Sequence, residues 1–360
     1  MAEEKKRIVI TASDIQSGNN AQIVDHMQKA KAIPLVREIG DVNTKSNDGL
    51  ITILVLTAAG VVGGLLALLF TRLMPEFDDS TTSNIVFSFT MTLAIALALV
   101  SGDSALTRSL PKFGLSLAIA GPAAIGLALI FGFFASSIYI ALVESTWDSL
   151  TAAGLDPVWD SEAFFQEFQN RNHLNRGLAW SLVGAAAGAA VGSASKSIKR
   201  IGITAGGGLL GGFIGGFLFD FFEGEVIAQL VGFVITGAAV GLTVSLLEQA
   251  VKSSWLEIVS GGMAGKQFII YQNEVQIGAS PSAHITLIKD TAIPPIAAVL
   301  RRTGGTFKII STTPGQGIQV NDQIVAQQDL KEGAVIVLGS TVLRFRERAK
   351  EVKHQGIYRG

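Results

Sequence analysis

Residues 201–222 read IGITAGGGLLGGFIGGFLFDFF, and the fold follows from this stretch outward. No charged residue interrupts it before Asp220. A helix that crosses a lipid bilayer needs about 20 apolar residues, because the hydrocarbon core is ~30 Å thick and each residue rises ~1.5 Å. Gly207, Gly211 and Gly215 recur at every fourth position, doubled by Gly208, Gly212 and Gly216. That spacing puts them along one side of a helix. Small residues at this spacing let helix backbones approach closely, where dispersion and weak Cα–H···O interactions hold them.

The preceding segment repeats the pattern with Gly184, Gly188 and Gly192, and the following one with Gly237 and Gly241. Gly60 and Gly64 share the habit far upstream. The plain reading is intramolecular packing among helices four to six; the sharper one is a homo-oligomer seam or a glycine-lined pore. Gly206-x-Gly208-x-x-Gly211 formally matches a dinucleotide fingerprint, yet it lies inside an apolar helix with no strand before it, so it is a false match.

Six segments meet or approach the spanning length: 50–71, 84–102, 113–143, 177–195, 201–222 and 226–247. Together they predict an α-helical transmembrane bundle of about six helices with glycine-zipper packing over 50–247. Composition agrees, with 49% hydrophobic and 16% charged residues and a mean hydropathy of +0.45. The third segment is long and contains Gly121-Pro122, which suits either one tilted, kinked helix or two short passes. Loop charge selects the single crossing. The N-terminal tail, the loop with Arg108 and Lys112, the loop 196–200 and the chain after Lys252 are basic, while the intervening loops are acidic. Lysine and arginine mark the cytoplasmic side, so both termini are expected there, in a bacterial inner membrane. No cleaved signal is expected from the start of the chain.

Ionisable residues at membrane depth would mark a coupled transporter. Here Asp103, Glu144, Asp220 and Glu248 fall at segment ends. Net charge is −1, which argues against nucleic acid as a partner, and the absence of cysteine removes thiolate sites and Cys nucleophiles. His26, His173, His284 and His354 lie far apart, without metal-ligand spacing. Gly261-Gly-Met-Ala-Gly265-Lys266 resembles a phosphate loop but is one residue short, and Gln267 stands where Ser/Thr belongs. No cofactor, metal or enzymatic constellation is expected. Asp156, Asp160 and Glu162 read as a solvated loop, and Phe164 to Phe168 as an amphipathic turn in the outer interface. Residues 1–49 read as a cytoplasmic tail with a short amphipathic helix from Asn20 to Ile33, either partly ordered or docked elsewhere.

From about Trp255 the pattern changes to period two, with short strand-like runs punctuated by Gly, Pro, Asn and Asp. Many short strands within some ninety residues suggest an antiparallel sandwich. The pieces Gly265-Lys-Gln-Phe268, Val275-Gln-Ile-Gly278, Ile285-Thr-Leu287 with Asp290, and Gly304-Gly-Thr-Phe307 come first. Gly317-Ile-Gln-Val-Asn321, Leu330-Lys-Glu-Gly333, Ile336-Val-Leu-Gly339 and Leu343-Arg-Phe345 follow. In this order they resemble the forkhead-associated (FHA) domain across residues 254–348, with a tail at 349–360. The whole chain is similar to bacterial multi-pass membrane proteins that end in such a domain.

The resemblance implies an all-β sandwich that binds phosphothreonine peptides through its loops. A dianionic phosphate needs charge-assisted donors at the loop tips. The family's Ile-Gly-Arg is here Ile277-Gly278-Ala279, and its Ser-x-x-His is Pro294-Pro295-Ile296-Ala297. Losing the arginine forfeits roughly 1.5–3 kcal/mol from a charged hydrogen bond. The loop asparagine that grips peptide backbone corresponds to Gln316, and Asn321 alone is kept of a later Asn-Gly pair. Two expectations stand: loops centred on Ala279 that bind an unphosphorylated protein or a neighbouring copy, or a different polar site built from Ser280, Ser282, His284, Lys289, Thr312 and Thr313. The resulting expectation is a non-catalytic membrane adaptor with a cytoplasmic protein partner; the alternative is a channel or transporter subunit regulated by its FHA-like domain.

Overall fold

The computed structural model describes residues 47–75, 78–107, 109–219, 221, 226–287, 290, 292–313, 317–321 and 323–348. Almost all of the N-terminal tail, the segment 349–360, Lys289 and Gln316 lie outside the described residues. Six helices come first: α1 (Asp48–Leu73), α2 (Ser80–Ala105), α3 (Leu110–Ala152), α4 (Ser161–Ser193), α5 (Ile198–Phe219) and α6 (Val226–Ala250). Local chemistry sets their ends. The Asp79 carboxylate accepts from the amides of Thr81 and Thr82 to start α2, Ser109 accepts from the Lys112 amide to start α3, and α1 stops at Leu73, two residues before Pro75.

Five of the six are long and apolar enough to cross a membrane: α1, α2 from Thr81, α3, α5, and α6 from Leu230. The exception, α4, is apolar only from Gly177 to Ser193, and Arg176 precedes that part. Every residue from Val183 to Gly192 is buried. A helix walled in by its neighbours faces little lipid, so alanine and glycine suffice where an outer helix needs leucine. The outer helices turn large apolar side chains outward, with Leu54, Leu65, Leu129, Phe133 and Phe134 all exposed. Such a surface is unsuited to water.

The long third segment forms one continuous helix of 43 residues with Pro122 inside it. At ~1.5 Å per residue, α3 far exceeds the hydrocarbon thickness. The loop expected from 144 to 176 is therefore mostly helix: α3 continues to Ala152 and α4 begins at Ser161. The Phe164–Phe168 turn belongs to α4, where Phe164 is fully buried and meets Trp147 edge-on at 4.7 Å between centroids.

Consecutive helices alternate in direction, and the glycines sit where they pack. A Cβ on Gly184 would overlap the Gly208 carbonyl and one on Gly208 the Gly184 carbonyl, while Gly188 lies against Thr204. A Cβ on Gly192 would lie 2.5 Å from the Ile201 Cα. On the other side of α5, Cβ atoms on Gly207 and Gly215 would lie 2.7 and 2.6 Å from the Cα atoms of Val244 and Thr236, and one on Gly211 would overlap the Thr243 hydroxyl. Gly237 and Gly241 press on Gly60 and Leu56 of α1.

After α6 the chain forms two sheets, ordered β2-β1-β11-β10-β7-β8 and β4-β3-β5-β6-β9. The first holds β1 (Ser254–Ser260), β2 (Gln267–Ile269), β7 (Ile318–Val320), β8 (Gln323–Val325), β10 (Val335–Leu338) and β11 (Thr341–Glu347). The second holds β3 (Glu274–Gly278), β4 (Ile285–Thr286), β5 (Ala298–Thr303), β6 (Thr306–Ser311) and β9 (Gln327–Leu330). Leu256, Ile258, Ile277, Leu300, Ile309, Ile336, Leu343 and Phe345 are fully buried in the core. The β5–β6 hairpin turns through Gly304 and Gly305, both at positive φ, as a two-residue turn demands. One pairing departs from the expected antiparallel pattern: β3 and β4 run parallel, Ile277 opposite Ile285. The loop between them crosses back over the end of β3 and does not form a hairpin.

Candidate functional site

Three of the described loop residues singled out by sequence, Ala279, Ser280 and Thr312, bond to the segment 294–297. The amides of Ala279 and Ser280 donate to the carbonyls of Pro294 and Pro295, each at 3.0 Å. Gly278 is obligatory there, because a Cβ would overlap the Pro295 carbonyl. Thr312 donates through its hydroxyl to the Ile296 carbonyl at 2.6 Å and through its amide to Ala297. Ser280 and Ser282 share a hydroxyl hydrogen bond of 2.7 Å, and the Thr313 amide donates to Ser311. His284 Nδ1 accepts from the Gln276 amide, so that nitrogen carries no proton. Asn321 is placed differently. It forms the β7–β8 turn at φ 53°, and its side-chain oxygen accepts from the Val335 amide at 3.0 Å. Its role is to join strands.

Thus the Ser280, Ser282 and Thr312 hydroxyls bond within the domain, and Ala279 puts a methyl group where the resemblance expects a guanidinium. Asp290 is likewise architectural. Its carboxylate accepts from the Ser340 amide and hydroxyl, the Thr341 hydroxyl and the Ala292 amide. Burial opposes its ionisation, but these bonds outweigh that and hold its pKa below the usual carboxylate value.

The β3–β4 loop does not stand free in solution; it rests on the helices. The Lys112 ammonium, at the start of α3, donates to the carbonyls of Ala283 and His284 and to the Thr286 hydroxyl at 2.9–3.0 Å. Lys266 donates to the Leu106 carbonyl, and the Gln267 amide to Asp48 at 2.9 Å. Gln272 reaches the Ser195 carbonyl at 2.8 Å. At the centre, Arg200 makes a two-pronged pair with Asp103 at 2.7 and 3.1 Å and a second pair with Glu248 at 2.7 Å. Glu248 also accepts from the Tyr271 hydroxyl at 2.7 Å. Burial first, and then the neighbouring Glu248 carboxylate, push the Tyr271 phenol well above its usual pKa, so it stays protonated and donates. One buried network therefore joins α2, α5 and α6 to the sandwich.

Around this network lies a cavity of about 420 Å³ between the helix ends and the sandwich. A second, of about 520 Å³, opens at the opposite end of the bundle, lined by Arg72, Asn84, Tyr139, Arg176, Trp180 and Phe233 among others. By sequence, Asp103 and Glu248 are segment ends and Lys112 and Arg200 are loop charges, and nothing in the sequence marks Tyr271. The available signal was a pair of opposite charges at helix ends that alternating direction must bring to one side.

Residues 257–349 match the family model described as the cytoplasmic domain of an inner membrane component of T3SS. No curated protein matches the chain. Solved structures similar to it include the FHA domain of the CT664 protein from Chlamydia trachomatis, 21% identical over 27% of this chain and 99% of that one, with a TM-score of 0.25. Another is the cytoplasmic domain of the T3SS sorting platform protein PscD from P. aeruginosa, 20% identical over 27% and 82%, TM-score 0.25. A third is the Slr1951 protein from Synechocystis sp., 24% identical over 28% and 100%, TM-score 0.25. The two sheets that follow the membrane-type helices form an FHA-like sandwich.

Proposed function

We propose that this protein is a non-catalytic membrane scaffold whose FHA-like domain binds a protein partner without reading phosphothreonine. The observation that carries this reading is the inward-bonded loop set: Ala279, Pro294 and Pro295 close the corner where charged and hydroxyl donors would converge, and Ser280, Ser282 and Thr312 bond within the domain. A phosphate placed there would meet no guanidinium among the described residues and would break existing hydrogen bonds. The adaptor reading also fits the packed bundle. The glycines lie in backbone-to-backbone approach, and Ile95, Ala187, Val191, Val240 and Val244 are buried between the two cavities. A scaffold needs such a sealed bundle, whereas a channel needs an open path.

Six crossings with both termini cytoplasmic form part of the same proposal. Lys112, Lys196, Lys199, Arg200 and Lys252 gather at the sandwich end, while Asp148, Asp156, Asp160 and Glu162 belong to the other. The test uses the full chain in detergent micelles, titrated with fluorescent phosphothreonine peptides and their unphosphorylated counterparts. Equal, weak binding of both sets is expected. Micromolar binding that depends on the phosphate would refute the reading.

A further inference from the structure

The cavity at the junction holds more positive charge than its carboxylates balance. Five cations line it, Lys112, Lys196, Arg200, Lys252 and Lys266, against three carboxylates, Asp48, Asp103 and Glu248. Asp103 and Glu248 are both committed to Arg200. Asp48 accepts the Gln267 amide. The Lys112 ammonium donates to two carbonyls and a hydroxyl, and Lys196 stands at the lip in a left-handed turn at φ 53°. Three helices begin and three end around the cavity, so their macrodipoles largely cancel and the side chains decide the potential.

We propose that this cavity binds a phosphate-bearing anion, with Lys112 and Lys196 as its cations and the neutral His284 imidazole beside them. Ser197 also lines the cavity, and its oxygen accepts from the Arg200 amide, which leaves its hydroxyl proton for such a group. Charged donors around a partly dehydrated anion make the strong class of hydrogen bond. The surroundings of His284 report the same field: burial, then Lys112 and Lys196, hold its imidazole below the usual histidine value. Leu115 and Ile119 of α3 complete one wall, and Leu115 is exposed on the bundle surface. A headgroup in the corner would therefore leave its acyl chains an apolar path along α3. Basic pockets between helix ends on the cytoplasmic side are suited to anionic lipid headgroups. The anion would also neutralise the corner against which the β3–β4 loop is docked, so its binding should tighten that docking.

The test measures thermal unfolding and native mass spectrometry of the delipidated full chain in zwitterionic detergent. Three additions are compared: dioleoyl phosphatidylglycerol, dioleoyl phosphatidylcholine and inorganic phosphate. Phosphatidylglycerol is expected to raise the midpoint and remain bound, and phosphatidylcholine to do neither. An equal effect of millimolar inorganic phosphate would keep the site and identify a soluble source. Lys196→Gln is an exposed change that leaves every hydrogen bond of the junction in place, and it should weaken binding at least fivefold. Lys112→Gln should weaken it further, whereas Arg171→Gln, exposed and paired to Glu167, serves as the distant control. Binding of phosphatidylglycerol by Lys196→Gln within twofold of the unaltered chain, an equal loss in Arg171→Gln, or no response to either anion would overturn the proposal.

Discussion

Replacing Tyr271 by phenylalanine isolates the link between the sandwich and the bundle. The change removes one hydroxyl and keeps the ring, so the packing of Arg200 over that ring at 5.8 Å survives. What is lost is the 2.7 Å bond to the Glu248 carboxylate. A hydrogen bond to a charged group contributes about 1.5–3 kcal/mol. Glu248 keeps its Arg200 partner, so the carboxylate is not orphaned and the lower figure applies. About 1.5 kcal/mol corresponds to roughly a tenfold shift in an equilibrium. The Gln267 amide, which donates to Asp48 across the junction, is a direct reporter of docking. Its hydrogen exchange in Tyr271→Phe should accelerate about tenfold, with the amides of α5 unchanged. Arg200→Gln provides the contrast. It leaves Asp103 and Glu248 without their cation, a loss of about 3–5 kcal/mol for a buried pair, and should expose both Gln267 and the helices. Unchanged Gln267 protection in Tyr271→Phe would refute the idea that this network docks the domain.

The glycines make opposite predictions at two kinds of position. Gly208→Ala drives a Cβ into the Gly184 carbonyl, and overpacking of this sort costs about 1–3 kcal/mol or more; thermal melts in micelles should show the loss. Gly121→Ala, where a Cβ meets nothing within 4 Å, should leave the bundle intact or stabilise it by up to about 1 kcal/mol. Asp290→Ala strands the amide and hydroxyl donors it now satisfies, and the sandwich should lose at least about 3 kcal/mol by denaturant titration. Because the Asp290 pKa is lowered on folding, its contribution is present above pH 4 and fades as the solution is acidified further. Lys252 shifts in the same direction at higher pH: burial pushes its pKa down from 10.5 to about 8. The folded state binds fewer protons than the unfolded one across that window, so docking should strengthen from pH 8 to 9.5, and Lys252→Gln should diminish this rise.

The membrane helices were readable because lipid imposes one strong rule, a long run without charge, and α1, α2, α3, α5 and α6 obey it. α4 follows a different rule. It falls short in hydropathy, and Val183 to Gly192 are enclosed by protein, an enclosure that is not written in one segment. The β-sandwich was legible from alternation and turn residues, but its one parallel pair was not, since Ile277 and Ile285 meet through a loop that crosses the end of β3. Among the expected binding residues, Ser280 and Thr312 both bond to the segment 294–297, whereas His284 meets Gln276 and Lys112. Asn321 instead fastens strands, which only the placement of Val335 decides.

The sequence by itself determined that the chain joins apolar helices to a period-two domain, because hydropathy and periodicity are local properties and each segment carries its own. It also determined that an arginine is missing from the loop tip, since Ala279 is simply a residue identity. Only the tertiary structure decided that Asp103, Arg200, Glu248 and Tyr271 form one network, and that Lys112 holds the β3–β4 loop. Those residues are separated by as many as 174 positions along the chain, and an ion pair depends on distance through space. Helix direction, domain docking and burial must all be in place before such charges meet.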